Sequence, residues 1–325
     1  MDRIKKYIET EWSAVQEKIT SALFNDIDLL NSTNKSILSH SGKQLRPLLA
    51  VLFARLCNGG CSSEATIRYA AAAELLHNAT LLHDDVADGS SQRRGMPTIM
   101  SLMGPSVSVL VGDYWLVKAM QLILQSAETD VRAITIFSKT LSDLAEGEML
   151  QLQKAHSGDT TEEDYIRIIY NKTASLFEAA CFSAAVSVGA DAIAEKAALD
   201  YSVALGLAFQ IKDDILDYDG TESVGKPLGV DILEQKMTLP LLGALAKVSP
   251  EEDSRVRAMV RDIVGHPEYR DEIVRFVKEN GGLEYSERRL GEYVEKAVEA
   301  LVIFPDSPEK EFLVQLAHFT AKREK

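Results

Sequence analysis

The sequence predicts an all-α protein, a single-domain helical bundle around a deep central cavity. Three observations predict it. Apolar residues recur with helical period along almost the whole chain, punctuated by Gly and Pro. Alternating runs closed by Asn-Gly or Asp-Gly turns are missing, so strand signals are nearly absent. No linker is long enough to split the 325 residues, although length alone would allow two domains.

The elements follow in order. Helices are expected over residues 2–22, 26–39 and 44–57, then over 63–88. That fourth helix is apolar until it ends on Asp84-Asp85-Val86-Ala87-Asp88, and the loop Gly89-Ser90-Ser91-Gln92-Arg93-Arg94-Gly95 follows it. Helices over 106–126 and 130–155 come next. Thr160-x-x-Glu163 reads as a capping box opening a helix over 162–188. A helix over 191–218 ends on the second cluster, Asp213-Asp214-Ile215-Leu216-Asp217, and a loop from Gly220 to Val230 follows. Helices over 231–247, 250–264, 268–279, 283–303 and 308–322 complete the chain. Pro250, Pro267 and Pro308 lie near helix starts, where a missing N–H costs little. The two halves echo each other: apolar helix, aspartate cluster, cation-bearing loop.

Composition narrows the function. A hydrophobic content of 46% supplies a large core. No segment offers the ~18 consecutive apolar residues of a membrane span; the most apolar stretch, Ala179 to Ala190, is too short. Met1-Asp2-Arg3-Ile4-Lys5-Lys6 runs into Glu9 and Glu11 without an apolar signal region. A soluble cytoplasmic protein without a transmembrane segment is expected. The net charge of −14 argues against nucleic acid as partner, which needs a basic face, and against a broad electrostatic membrane anchor. Cations that cluster against this balance mark local anion sites. Cys57, Cys61 and Cys181 imply no disulfide framework and no zinc spacing; they read as reduced thiols.

In a helix, the first and fifth residues of each aspartate cluster share one face. Three adjacent carboxylates repel, so something must compensate them. Mg²⁺ does this well, binding through one or two carboxylates plus substrate phosphates. Two such clusters facing a cavity would grip a diphosphate. An acidic helix end facing solvent is the plain alternative, but acidic charge at a helix C-terminus opposes the macrodipole, so local stability does not explain it. His77 lies seven residues before Asp84 on the same face. An EF-hand around Asp217-Tyr218-Asp219-Gly220 fails, since its first and twelfth positions would be Ile215 and Lys226. The glycines around Lys226 suggest an anion-binding loop without a Walker pattern. Gly42-Lys43-Gln44-Leu45-Arg46-Pro47 puts Lys43 and Arg46 on one helical face, able to share a phosphate. Lys172-Thr173 interrupts an apolar helix; Lys172 is either buried and paired or snorkels outward.

Taken in order, these pieces resemble the trans-isoprenyl (polyprenyl) diphosphate synthase family. The likeness runs from about residue 40 to 240: Gly42 to Pro47, Asp84 to Asp88 with Arg93-Arg94, Lys172-Thr173, Phe209 to Asp217, and Lys226 to Pro240. One departure is Gln235, where the family usually has Gly before Lys236. The resemblance implies an isoprenoid-synthase-type bundle, a homodimer, and three Mg²⁺ per active site held mainly by Asp84, Asp88 and Asp213. Asp85, Asp214 and Asp217 would orient those ligands. Arg93, Lys172 and Lys226 would contact the allylic diphosphate, and Gln210 with Lys172-Thr173 would offer dipoles to the allylic cation. Lys43, Arg46, His77 and Arg94 would hold isopentenyl diphosphate, with Lys236 a further substrate contact.

By the same resemblance, the product grows away from Asp84 along its own helix, and a bulky aromatic four or five residues earlier would stop it. Those positions are Thr80 and Ala79. Ala70-Ala71-Ala72-Ala73 keeps the wall thin further down, and Phe137 either floors the cavity or packs in the core. A long all-trans product near C40, within C30 to C50, is expected, of the kind used as quinone side chains. The alternatives are a short-chain (farnesyl or geranylgeranyl) synthase or a noncatalytic regulatory subunit. Intact aspartate clusters disfavour the subunit. A terpene cyclase or head-to-head synthase leaves Gly42 to Pro47 and Arg93-Arg94 without a use, and a plain helical scaffold leaves six clustered aspartates unexplained.

Overall fold

The structure, a computed structural model, describes residues 1–40, 42–93, 95–125, 130–219 and 228–323. The described helices are α1 (Asp2–Tyr7), α2 (Glu9–Leu23), α3 (Asp28–Ser39), α4 (Leu45–Cys57), α5 (Glu64–Ala87), α6 (Ile99–Met103), α7 (Pro105–Leu124), α8 (Val131–Ser157), α9 (Glu162–Ile169), α10 (Ser175–Ser187), α11 (Ala192–Asp219), α12 (Val230–Leu233), α13 (Leu239–Leu245), α14 (Pro250–Arg261), α15 (Tyr269–Glu279), α16 (Gly282–Ala300) and α17 (Pro308–Lys322). A π-helical turn, Tyr170–Ala174, joins α9 to α10. Among the described residues the strands are two residues each, β1 (Gln92–Arg93) and β2 (Met96–Pro97), paired antiparallel. The protein is all-α, as the periodicity predicts.

The chain forms two compact units. The first comprises residues 1–138, 179–198 and 306–312. Its centre is α5, which packs on α7, α4 and α2. Ser63 caps α5 in a box with Thr66, each side chain accepting the other's backbone N–H. Ala70 to Ala73 are fully buried, since small side chains let neighbouring backbones approach closely. On α4, Arg55 donates to Glu11 at 2.5 Å and to Glu309 at 3.1 Å, and Tyr7 donates to Glu309 at 2.7 Å. α7 is long and apolar enough to cross a membrane by length and composition alone. In the structure it lies against α5, where Ser108 donates to the Leu82 carbonyl at 2.8 Å.

The second unit comprises residues 139–178, 199–305 and 313–325. Within it α13 packs on α15 and α16, and Arg289 of α16 pairs with Glu162 of α9 at 3.1 Å. Cys57, Cys61 and Cys181 are free thiols, and burial pushes Cys57 up to about 12.

Four sequence expectations need correction. The helix over 2–22 breaks at Ile8 (φ −107°, ψ 32°), where the fully buried side chain sets the chain direction over local propensity. The capping box is Thr161 with Asp164, because Thr160 is buried and its carbonyl accepts from Arg257 at 3.0 Å. Lys43 and Arg46 do not share a helical face: α4 starts at Leu45, after Gln44 at φ 54°, and Lys43 lies exposed before it. The helix over 231–247 is two helices. Gln235 has φ 58°, Thr238 is extended, and Pro240 opens α13, so the intervening residues cannot continue a helix.

Candidate active site

The first aspartate cluster ends α5. Asp84 is half-buried, Asp85 is 4% exposed, and Asp88 caps the helix in solvent. Asp85 turns inward to Arg93, whose Nε lies 2.7 Å from its Oδ1. The β1–β2 hairpin places Arg93 there, with Arg93 opposite Met96 and Gly95 at φ 76° making the reversal. Ser90 donates from its N–H to the Asp85 carbonyl at 2.9 Å, and Thr98 donates its hydroxyl to the Ser90 carbonyl at 2.7 Å. Both bonds fix the hairpin to the helix end. His77 is half-buried one face-repeat before Asp84, and Arg46 is buried. Arg94 lies outside the described residues.

The second cluster sits in α11 and carries its own compensation. Asp213 is half-buried, with Arg323 at 2.8 Å. Asp214 is buried; it accepts from Tyr165 at 2.6 Å and from the Gln210 amide at 2.9 Å. Thr173 donates to the Gln210 carbonyl at 2.9 Å, which fixes the amide's orientation. Asp217 accepts the backbone N–H groups of Val230 and Asp231, both at 3.1 Å, and so caps α12. Burial, reinforced by Asp231, holds Asp214 well above the usual carboxylate range. Burial also raises Asp217, and burial with the nearby Asp217 pushes Asp231 up to about 7.

The π turn presents Lys172 and Thr173. Such turns insert one residue into a helix and occur often at functional sites. Lys172 is paired rather than snorkelling: its Nζ lies 2.5 Å from Glu148 and donates to Gln151 at 3.0 Å. Lys236 pairs with Glu234. Lys226 lies outside the described residues. In the first unit, Ala79 is fully buried, Thr80 folds its hydroxyl back onto the His77 carbonyl at 2.8 Å, and the Phe137 ring lies 6.1 Å from the Tyr69 ring.

Among the described residues no three Asp, Glu, His or Cys side chains converge tightly enough to hold a metal ion unaided. The donor set fits a hard divalent cation that completes its shell with phosphate oxygens, because every candidate ligand is a carboxylate.

The comparison with known proteins follows this pattern. The family model for polyprenyl synthetase matches residues 27–277. The chain belongs to the polyprenyl synthetase family. It is 37% identical to the octaprenyl diphosphate synthase of Escherichia coli (strain K12), a match covering 100% of this chain and 99% of that one. The crystal structure of a decaprenyl diphosphate synthase from Rhodobacter capsulatus superposes with a TM-score of 0.91 at 34% identity, covering 100% of this chain and 99% of that chain. A polyprenyl synthase from Caulobacter crescentus CB15, complexed with calcium and isoprenyl diphosphate, gives 0.90 at 36% identity, covering 100% and 98%. The protein is thus a prenyltransferase of the long-chain, all-trans kind, and the family is metal-dependent.

Several residues that partner these side chains carry no functional signal in the sequence. Tyr165, Glu148, Gln151 and Arg323 reach their partners from remote parts of the chain. Asp231 lies within Lys226 to Pro240, the last stretch that carries the family resemblance.

Proposed function

We propose that the protein condenses isopentenyl diphosphate, head to tail in the 1′-4 sense, onto an allylic diphosphate such as farnesyl diphosphate, with a product near C40 and within C30 to C50. The observation that carries the product length is the wall of α5 below Asp84. From Ala70 to His83 the helix carries no Phe, Tyr or Trp. The first such ring is Tyr69, paired with Phe137, some fifteen residues or about 22 Å of helix away from Asp84.

Asp84, Asp88 and Asp213 are the proposed Mg²⁺ ligands, for three ions per active site. Bound Mg²⁺ would supply Lewis-acid stabilisation of the charge on departing pyrophosphate. Asp85, held by Arg93, and Asp214 and Asp217, held by Tyr165, Gln210 and backbone N–H groups, keep the ligand carboxylates oriented. Arg93, Lys172 and Lys226 contact the allylic diphosphate and stabilise its leaving oxygens. The Gln210 carbonyl and Thr173 hydroxyl present dipoles to the allylic cation. Lys43, Arg46, His77 and Arg94 position isopentenyl diphosphate, whose double bond attacks C1 of the cation, and Lys236 is a further substrate contact. A proton then leaves to pyrophosphate, so no dedicated protein base is required. The apolar side chains of α5 exclude water from the cation.

The whole chain is read as one synthase domain acting as a cytoplasmic homodimer. Support for the second copy comes from α7, where Leu110, Val117 and Leu124 are 68%, 50% and 53% exposed and recur every seven residues, an apolar stripe suited to a partner helix. Neither a nucleic-acid partner nor a membrane span is part of this reading.

The test is product analysis. Purified protein given farnesyl diphosphate, labelled isopentenyl diphosphate and Mg²⁺ should yield a ladder ending beyond C25. Accumulation of C15 or C20 alone would sink the long-chain reading.

A further inference from the structure

Arg323 follows α17 directly and is 8% exposed, a costly place for a guanidinium. Its Nη2 lies 2.8 Å from Asp213 Oδ1 and donates to the Phe209 carbonyl at 2.6 Å. The guanidinium carbon stands 3.9 Å from the centre of the Phe209 ring. Its Nε has no hydrogen-bond partner among the described residues. Burial lowers its pKa despite the neighbouring Asp213. Tyr201, bonded to the Leu313 carbonyl at 2.7 Å, anchors α17 in this position.

Asp213, Asp214, Asp217 and Asp231 crowd one end of α11 and the start of α12. Burial and hydrogen bonds absorb Asp214 and Asp217. Asp213 instead meets a cation delivered from more than a hundred residues along the chain. A divalent ion arriving at Asp213 would stand beside that guanidinium, and like charges at such range oppose each other strongly. The planar fork of arginine suits a carboxylate and a phosphate equally, so it can exchange one for the other.

We propose that Arg323 is a positioning residue for Asp213: it holds the carboxylate as a counter-ion in the metal-free protein and is displaced from it when a divalent metal binds. The inference rests on the reading of Asp213 as a metal ligand. It makes Arg323 a competitor of the first metal ion.

Mn²⁺ binding to the full chain with one equivalent of inorganic pyrophosphate, followed against a protein-free blank by loss of the free-ion electron paramagnetic resonance signal, tests this. Arg323→Gln should bind Mn²⁺ roughly tenfold more tightly than the parent, the sense expected when a like charge is removed. Arg323→Lys, which keeps the charge, should stay near the parent. In an Asp213→Asn background, Arg323→Gln should bring no gain. Unchanged or weaker binding by Arg323→Gln overturns the proposal. Unchanged binding by Asp213→Asn alone overturns the metal-ligand reading beneath it. A measurement on the unsubstituted protein covers loss of folding in the variants. The arginine Nε–H resonance missing from the Arg323→Lys spectrum should shift as Mg²⁺ is added, and a resonance that stays in place at saturation overturns the exchange.

Discussion

Gly206 lies so close to Ala174 that a Cβ on the glycine would stand 2.6 Å from the alanine Cα. Gly147 approaches the same π turn from α8, where a Cβ would stand 2.7 Å from Asn171 Cβ and 2.9 Å from Lys172 Cγ. Both contacts pack the turn closely against α8 and α11. Gly206→Ala meets backbone rather than a flexible tip, so the turn must move and carry Thr173 away from Gln210. Urea denaturation should show a loss of about 1–3 kcal/mol, as overpacking usually brings. Turnover should fall by more than the folded fraction explains, as steady-state assays at saturating substrate would reveal.

The acidic end of α12 sets a pH dependence. The folded state holds the Asp231 carboxyl up to about 7 through burial and the nearby Asp217. Unfolded, that group ionises near pH 4. The fold therefore binds a proton that the open chain releases, and this contribution is fully present below about pH 4 and lost as pH rises to 7. Asp231→Asn cannot ionise. Without divalent metal, its urea midpoint should exceed the parent's at pH 8, with the difference shrinking steadily toward pH 4.

Product length should respond to the wall of α5. Ala79→Phe or Thr80→Phe puts a ring one turn from Asp84 and should shift the main product to C15–C20 classes, read by reverse-phase chromatography. Phe137→Ala removes half of the Tyr69–Phe137 pair and should extend the ladder past the parent's end point. Equal product lengths across all three proteins would show that the α5 wall does not set the length.

Gln235 occupies a left-handed conformation (φ 58°) that favours glycine, while its side chain donates to the Arg261 carbonyl at 2.6 Å. The two effects oppose each other. Gln235→Ala loses the hydrogen bond and keeps the strain. Gln235→Gly loses the bond and relieves the strain, so it should be the more stable of the two by about 1 kcal/mol in thermal unfolding.

The parts of this protein visible in sequence are those that repeat locally. Helix period and length place α5, α8, α11 and α17 within two residues; α5 is buried on all sides from Thr66 to Leu76, and its long uninterrupted run marks it. The aspartate clusters and Lys172-Thr173 announce themselves by chemistry that their own helices cannot explain. What stays hidden depends on distance along the chain. Tyr165 and Arg323 look like ordinary surface-capable residues until folding brings them to Asp214 and Asp213. The break at residues 234–238 hides for another reason: Gln235 stands where a glycine would have marked the turn. The π turn is equally silent, since the residues of Tyr170–Ala174 suit a regular helix and the close approach of Gly147 and Gly206 to it comes from elsewhere in the sequence.

The Asp85–Arg93 pair turns the segment between them into a ruler. Seven residues of chain, closed by a two-by-two ladder and by Ser90 and Thr98, leave a single length at which the arginine meets its carboxylate. Adding or deleting one residue between Gly89 and Gln92 would shift the arginine out of register with its carboxylate. This segment should therefore accept changes of residue type far more readily than changes of length.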